Sequence, residues 1–154
     1  MFILDTCAFF TQKHPEGKFI TAAGIDSEII NKQSKQYFEN MRSTKMEIMV
    51  PDVKYCEIIK KHAKETGDFD VLSKIDLDII ALGYELKGTI VTDDFAVQNV
   101  ALSLGLKFVS CSDKIIAEKR SWLYKCTACS HTDKKKGKDC PVCGNNEILR
   151  IKSK

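Results

Sequence analysis

The chain has 154 residues, 44% of them hydrophobic and 29% charged, the composition of a folded globular protein with room for one ordinary domain and a small appendage. No apolar run approaches the roughly 20 residues of a membrane span, and Asp5 in the opening Met-Phe-Ile-Leu-Asp interrupts the place where a secretory signal needs a long apolar stretch. The net charge of +3 is unevenly spread: residues 122–154 hold eight basic and three acidic side chains (+5), which leaves the rest of the chain at −2.

Phe2-Ile3-Leu4 reads as a short buried strand that delivers Asp5 at its C-terminal end, followed by a loop over 6–18 that closes with His14-Pro15-Glu16-Gly17. The pattern from Thr21 to about Met41 predicts a helix, with Ile25, Ile29 and Ile30 on one face and Tyr37, Phe38 and Met41 continuing it. Met46 to Val50 is the next strand. Pro51-Asp52 opens a helix through about Thr66 that Gly67 caps. Ser73-Lys74-Ile75-Asp76 has the form of a capping box and starts a helix burying Ile75, Ile79, Leu82 and Leu86, stopped at Gly88. Thr89 to Thr92 is a third strand, with Asp93-Asp94 opening a helix to about Leu104. Lys107 to Cys111 is a fourth. Strands alternating with helices predict an α/β fold, a parallel sheet flanked by helices. A boundary near residues 114–122 divides it into a domain over 1–118 and a small one over 119–154.

The small domain carries the sharpest chemical signal. Cys126-Thr-Ala-Cys129 and Cys140-Pro-Val-Cys143, separated by ten residues, place four thiolates within reach of one tetrahedral Zn²⁺, with Gly144 suited to the turn of the second knuckle. Such a site is closed and structural. Four thiolates on Zn²⁺ lower the segment's charge to about +3. Lys134, Lys135, Lys136 and Lys138 form a loop between the knuckles, a phosphate-contacting tip as readily as a solvated one. Cys7, Cys56 and Cys111 lie outside the tetrad and read as small buried apolar groups in a reducing, cytoplasmic interior.

Ligand sites of parallel α/β sheets form outside the carboxyl ends of the strands. Asp5 ends the first strand, Asp93 and Asp94 end the third, and Asp76 opens the helix before it. A single Asp at such a place is a helix N-cap, the role assigned to Asp93. Several acids converging there raise one another's pKa unless a divalent cation neutralises them. Oxygen donors without a histidine cluster point to Mg²⁺ or Mn²⁺; His14, His62 and His131 are scattered and read as surface residues.

Leu4-Asp5-Thr6, Asp76 in Ser73-Lys-Ile-Asp-Leu-Asp, and Ile90-Val-Thr-Asp-Asp-Phe resemble a PIN-domain nuclease, a Rossmann-like fold. Phe19-Ile-Thr-Ala-Ala-Gly-Ile-Asp-Ser-Glu28, Lys64-Glu-Thr-Gly-Asp68, Thr92-Asp-Asp-Phe-Ala-Val-Gln-Asn99 and the C-terminal ribbon narrow the resemblance, over essentially the whole chain, to archaeal members of the NIN-one-binding-protein family. The resemblance implies a metal-dependent endoribonuclease that matures the 3′ end of small-subunit (16S) ribosomal RNA. It implies catalytic acids at Asp5, Glu28, Asp76 and Asp94, with Asp93 beside the last. Glu57 resembles the second acid of more general PIN domains and is the alternative to Glu28. Asp5, Asp76 and Asp94 then hold one or two Mn²⁺ or Mg²⁺ ions, while Thr6 and Thr92 read as turn caps. The implied partners are precursor ribosomal RNA, the small subunit and a KH-domain assembly factor. The basic loop supplies RNA affinity, and Trp122 and Tyr124 either stack bases or pack the ribbon on the body. A toxin-type PIN ribonuclease, or a non-catalytic ribbon protein clamping ribosomal RNA, are the competing readings.

Overall fold

A computed structural model describes residues 1–113 and 115–153; Lys114, at the start of the expected boundary segment, and Lys154, one of the basic residues counted in the C-terminal segment, lie outside the described residues. Phe2–Leu4 forms strand β1, and Asp5 accepts from the Thr6 amide to cap helix α1 (Thr6–Thr11). Strand β2 (Phe19–Ala22) leads through a 3-10 turn at Ile25–Ser27 to helix α2 (Lys32–Thr44), capped by Asn31. Strand β3 (Met46–Met49) precedes helix α3 (Val53–Thr66), which Asp52 caps. Helix α4 (Lys74–Leu86) opens on a complete capping box of Ser73 and Asp76. Strand β4 (Thr89–Val91), helix α5 (Phe95–Ser103) and strand β5 (Phe108–Val109) follow.

The five strands are parallel, in the order β3-β2-β1-β4-β5. Sheets of this kind are covered on both faces, so their strands read as unbroken apolar runs rather than alternating ones. Ile3, Leu4, Ile20, Ile90 and Val91 accordingly lie in one buried cluster with Ile59, Ile79, Ile80 and Val97 from the helices. Helix α4 comes so close to β4 that a Cβ added at Gly83 would stand 2.7 Å from the Ile90 side chain. The chain lays β2 and β3 on one side of β1, then returns to place β4 on the other. The strand order therefore reverses between β1 and β4, which opens a crevice at their carboxyl ends.

Two local expectations are corrected. The segment expected as one helix over 21–41 is divided into β2, the 3-10 turn and α2, so the sheet gains a strand. All four β2 residues are buried, and a short apolar run of that kind carries no period to separate strand from helix. The loop expected over 6–18 begins with the six residues of α1.

The C-terminal strands β6 (Trp122–Cys126), β7 (Thr132–Asp133) and β8 (Ile148–Lys152) form an antiparallel sheet in the order β7-β6-β8. Arg150 of β8 anchors it to the body: Nη2 donates to the Gly67 carbonyl at 2.8 Å and to Asp68 Oδ1 at 2.5 Å. Asp68 is only 1% exposed and takes a second bond, from Asn99 Nδ2 to Oδ2 at 2.6 Å. Asn99 also holds the Arg120 backbone at both its carbonyl and its amide. Gly67 caps α3 at φ 78°, and a Cβ there would meet Trp122 at 3.2 Å, so the turn and the docked ribbon both require glycine. Among the described residues no helix is long and apolar enough to cross a membrane.

Replacing Asp68 with Ala leaves Arg150 partly buried with no counter-charge and Asn99 with one acceptor fewer. The expected loss is about 3 kcal/mol in urea unfolding, with faster proteolysis near Lys119 and Arg120. A loss below about 1 kcal/mol would place the pair with ordinary surface ion pairs.

Candidate active site and metal centre

Asp5 stands at the end of the central strand with 5% of its surface exposed. Its Oδ1 accepts from the Thr6 amide at 2.6 Å, and its Oδ2 from the Thr92 hydroxyl, also at 2.6 Å. Thr92 follows β4 and accepts in turn from the Asp94 amide at 3.0 Å, while Asp94 Oδ1 caps α5 through the Ala96 amide. Glu28 closes the 3-10 turn after β2. Its Oε2 accepts from the Thr6 hydroxyl at 2.6 Å, and its Oε1 lies 3.4 Å from the Ser73 hydroxyl. Ser73 Oγ accepts from the Asp76 amide, and Asp76 Oδ2 from the Ser73 amide. Four acids from the ends of β1, β2 and β4 and the start of α4 are thus tied by hydroxyls and backbone amides along one rim at the reversal point of the sheet.

Asp76 is the point at which their charges couple. Burial is the largest influence on Asp5 and, with the charge of Asp76, outweighs the bonds from Thr92 and Thr6 to push its pKa up to about 6. Asp76 is raised first by burial and then, against its bonds with Ser73, by Asp94 and Glu28. Among the described residues no Lys, Arg or His forms an ion pair with any of the four. The ring is also wider than a closed metal cage: the groups with three or more ligand atoms within 4.8 Å of one another are the four ribbon cysteines and Cys7 with Asp93 and Cys111.

Asp93 turns away from this rim. Its Oδ1 accepts from the Ser110 hydroxyl and from the Cys111 and Ser112 amides, so it organises the loop after β5, and the N-cap of α5 expected from it is made by Asp94. Glu57 lies on the exposed face of α3, paired with Lys60 at 2.9 Å, and lines a separate groove with Val50, Val53 and Asp78. His14, expected at the surface, is half-buried with Nε2 2.7 Å from the Tyr37 hydroxyl.

In the ribbon, Cys126, Cys129, Cys140 and Cys143 bring their sulfurs within 4.8 Å, with Cys126–Cys143 at 3.6 Å and Cys129–Cys140 at 3.5 Å. Zn–S bonds of about 2.3 Å in a tetrahedron put sulfurs about 3.8 Å apart, so the cluster fits one Zn²⁺. The backbone supports thiolates: the Cys129 amide is the main influence lowering the Cys126 thiol to about 6, and the Cys143 amide lowers that of Cys140 in the same way. These are the two knuckles, each folding its last amide onto its first sulfur.

Docking carries the basic loop over α3. A cleft of about 570 Å³ is lined by Lys61 and Lys64 from the body and by Trp122, Lys134 and Lys135 from the ribbon, and an adjoining one adds Phe69 and Lys136. Lys138 is exposed on the same loop. Tyr124 is 6% exposed with its hydroxyl on Asp70, and Arg150 covers a face of Trp122 at 4.1 Å from the ring centroid. Tyr124 packs the ribbon on the body, whereas Trp122, half-buried beside Gly67, also lines the lysine cleft. Lys61 and Lys64 escaped the sequence reading, although their three-residue spacing on a helix was visible there. Ser73 was read only as a cap.

Residues 2–86 match the family described as PIN domain of ribonuclease, and residues 116–154 match the Nin one binding (NOB1) Zn-ribbon. The chain is 32% identical over 152 residues to Ribonuclease VapC1 of Thermoplasma acidophilum, covering 97% of this chain and 77% of that one. It is 31% identical over 153 residues to Endoribonuclease Nob1 of Archaeoglobus fulgidus (96% and 89%). It is 34% identical over 146 residues to that of Pyrococcus abyssi (93% and 89%).

The raised Asp5 pKa gives a signed prediction for the metal-free protein. The unfolded chain releases this proton near 3.8 and the folded chain near 6, so the folded state binds it more tightly. Stability therefore falls as pH rises between those values, by about 3 kcal/mol in all. Asp5→Asn should remove that fall and be the more stable protein at neutral pH. Parallel stability–pH curves for the two proteins would contradict this.

Proposed function

Because the chain belongs to the Nob1 family of PIN-domain endoribonucleases, we propose that it cuts RNA by divalent-metal-dependent phosphodiester hydrolysis, maturing the 3′ end of small-subunit (16S) ribosomal RNA during ribosome biogenesis in the cytoplasm. One observation carries the reading: four acids meet at the reversal of a parallel sheet, one buried and raised to about 6, with no side-chain cation paired to any of them among the described residues. A fold that only needed caps would not concentrate charge this way.

The donor set fits a hard cation. Carboxylate oxygens and hydroxyls suit Mg²⁺ or Mn²⁺, and a ring wider than a cage leaves room for the waters such ions retain. Asp5, Asp76 and Asp94 would hold one or two ions with help from Glu28. When bound, such ions make hydroxide available near neutral pH and offset charge on the phosphoryl and leaving oxygens.

The chain's own groups fix the acids for that task. The Asp94 amide donates to Thr92 Oγ1, which directs the Thr92 proton onto Asp5 Oδ2 and holds that carboxylate as an acceptor. Thr6 does the same for Glu28. Asp76 and Asp94 each commit one oxygen to a backbone amide and leave the other open to a ligand. No side-chain nucleophile is required; water attacks phosphorus.

The lysine-lined cleft supplies affinity for the RNA backbone that an acidic body lacks. Precursor ribosomal RNA within the small subunit is the substrate, and a KH-domain assembly factor is the partner the family resemblance implies. A non-catalytic ribbon protein has no use for the ring, and the NOB1 ribbon match over residues 116–154 favours the ribosomal reading over the toxin-type one.

In a Mn²⁺ assay on a short RNA spanning the small-subunit 3′ end, Asp5→Asn, Asp76→Asn and Asp94→Asn should each lower cleavage about 10³-fold or more while retaining RNA binding. Glu28→Gln should lower it as well, whereas Glu57→Gln should cleave like wild type. Equal products from wild type and Asp5→Asn would reject the nuclease reading. Replacing Lys61, Lys64 and Lys134–Lys136 with Ala should flatten the plot of log K against log[salt] by about 0.7 for each phosphate no longer neutralised. An unchanged slope would remove the cleft from the RNA path.

A further inference from the structure

Cys7 and Cys111 belong to neither the carboxylate ring nor the ribbon, yet their sulfurs stand 3.3 Å apart. That spacing is close to the 3.6 and 3.5 Å between sulfurs of the ribbon cluster. An oxygen of Asp93 completes the group, all three ligand atoms lying within 4.8 Å of one another. The fold builds this arrangement from three neighbouring strands. Cys7 sits in the first turn of α1 after β1, Asp93 follows β4 and Cys111 follows β5, and those strands are consecutive in the sheet. Asp93 fixes the loop that bears Cys111: its Oδ1 takes the Ser110 hydroxyl at 2.5 Å, the Cys111 amide at 2.8 Å and the Ser112 amide at 3.2 Å. Both thiols are half-buried, neither sealed in the core nor open on the surface.

We propose that Cys7, Asp93 and Cys111 form a second metal site, separate from the ribbon tetrad and from the carboxylate ring, that binds a borderline-soft divalent cation of the Zn²⁺ class. Two sulfurs and one oxygen match Zn²⁺ and do not match Mg²⁺ or Mn²⁺, which the neighbouring ring favours. Three protein ligands leave a fourth position for water. Binding releases the two thiol protons, and the two thiolates and one carboxylate leave the loaded site with a charge of −1. The cation ties α1 and the loop after β5 to the end of β4, beside Asp5 and Asp94 but through different side chains. The site does not depend on the nuclease reading.

Full-length protein loaded with Zn²⁺ under reducing conditions and then dialysed should retain two equivalents, and Cys7→Ser and Cys111→Ser should each retain one, held by the intact ribbon. Cd²⁺ titration should give thiolate-to-metal absorption from six sulfurs in wild type and from four in each variant once the site is lost. Zn²⁺ added beyond the first equivalent should raise the melting temperature of wild type and leave both variants unmoved. A single equivalent in wild type overturns the proposal whether or not the variants fold, as does an unchanged second equivalent in Cys111→Ser. Recovery of a Cys7–Cys111 disulfide without a second equivalent overturns it in favour of a redox pair.

Discussion

A carboxylate held almost entirely out of water at the end of the middle strand is the constraint around which this molecule is arranged. Asp5 is buried because β1 is central, and β1 is central because the chain lays two strands on one side of it and then crosses to the other. The reversal brings the end of β4, and with it Thr92 and Asp94, beside Asp5. The connection after β2 brings Glu28 to the same place. An isolated ionised carboxylate in an apolar setting is expensive, and here the Thr6 amide and the Thr92 hydroxyl offset only part of that cost. The remainder is a standing demand for positive charge, met by no basic side chain among the described residues. Under the proposed function, stability is given up at the place where the chemistry needs charge, which is the usual exchange between stability and activity.

Hydroxyls make the arrangement workable. The Thr6 hydroxyl joins the carboxylates of Asp5 and Glu28, that of Ser73 joins the Glu28 carboxylate to the Asp76 amide, and that of Thr92 joins the Asp5 carboxylate to the Asp94 amide. Each hydroxyl ties one acid to the chain segment that carries the next, and each is fixed by a backbone amide or lies at an element end. Alanine at these positions would leave acids with fewer donors and greater freedom to move apart. The ring is therefore a property of seven side chains, although only four carry the charge.

Much of this was legible in the sequence, for physical reasons that differ from element to element. The capping box at Ser73, the glycine after α3 and the paired C-x-x-C knuckles are local: each is satisfied within a few residues, so a short window contains the whole cause. The carboxylates at strand ends were readable because a parallel α/β pattern says where its ligands go. Strand β2 was not readable, since four consecutive buried residues have the same pattern in a strand as in a buried helix. The residues alone did not decide between Asp93 and Asp94, although the family resemblance put Asp94 first. Adjacent residues of identical chemistry were separated only when the loop after β5 folded back and gave Asp93 three donors. Trp122 and Tyr124 show the same limit, because an aromatic on a ribbon edge serves packing or recognition according to what lies opposite. Here Gly67 and Asp70 lie opposite.

What lies opposite the ribbon also explains the division of charge along the chain. A −2 body with an unneutralised acidic ring repels the phosphate backbone that its chemistry addresses. Under the proposed function, lysines moved into the ring would relieve the repulsion only by taking the place of the proposed cation. The chain instead puts its positive charge on a separate module and fixes that module at one orientation. Arg150 reaches the buried Asp68, Tyr124 reaches Asp70, and the Arg120 backbone locks onto Asn99. Docked in this way, the ribbon presents Lys134 and Lys135 across a cleft from Lys61 and Lys64 of α3. The body's lysines become part of a continuous basic surface only because the ribbon faces them. Under the proposed function, attraction for the backbone is thereby kept apart from the acids, so that the same polyanion would be held by one part of the molecule and hydrolysed at another.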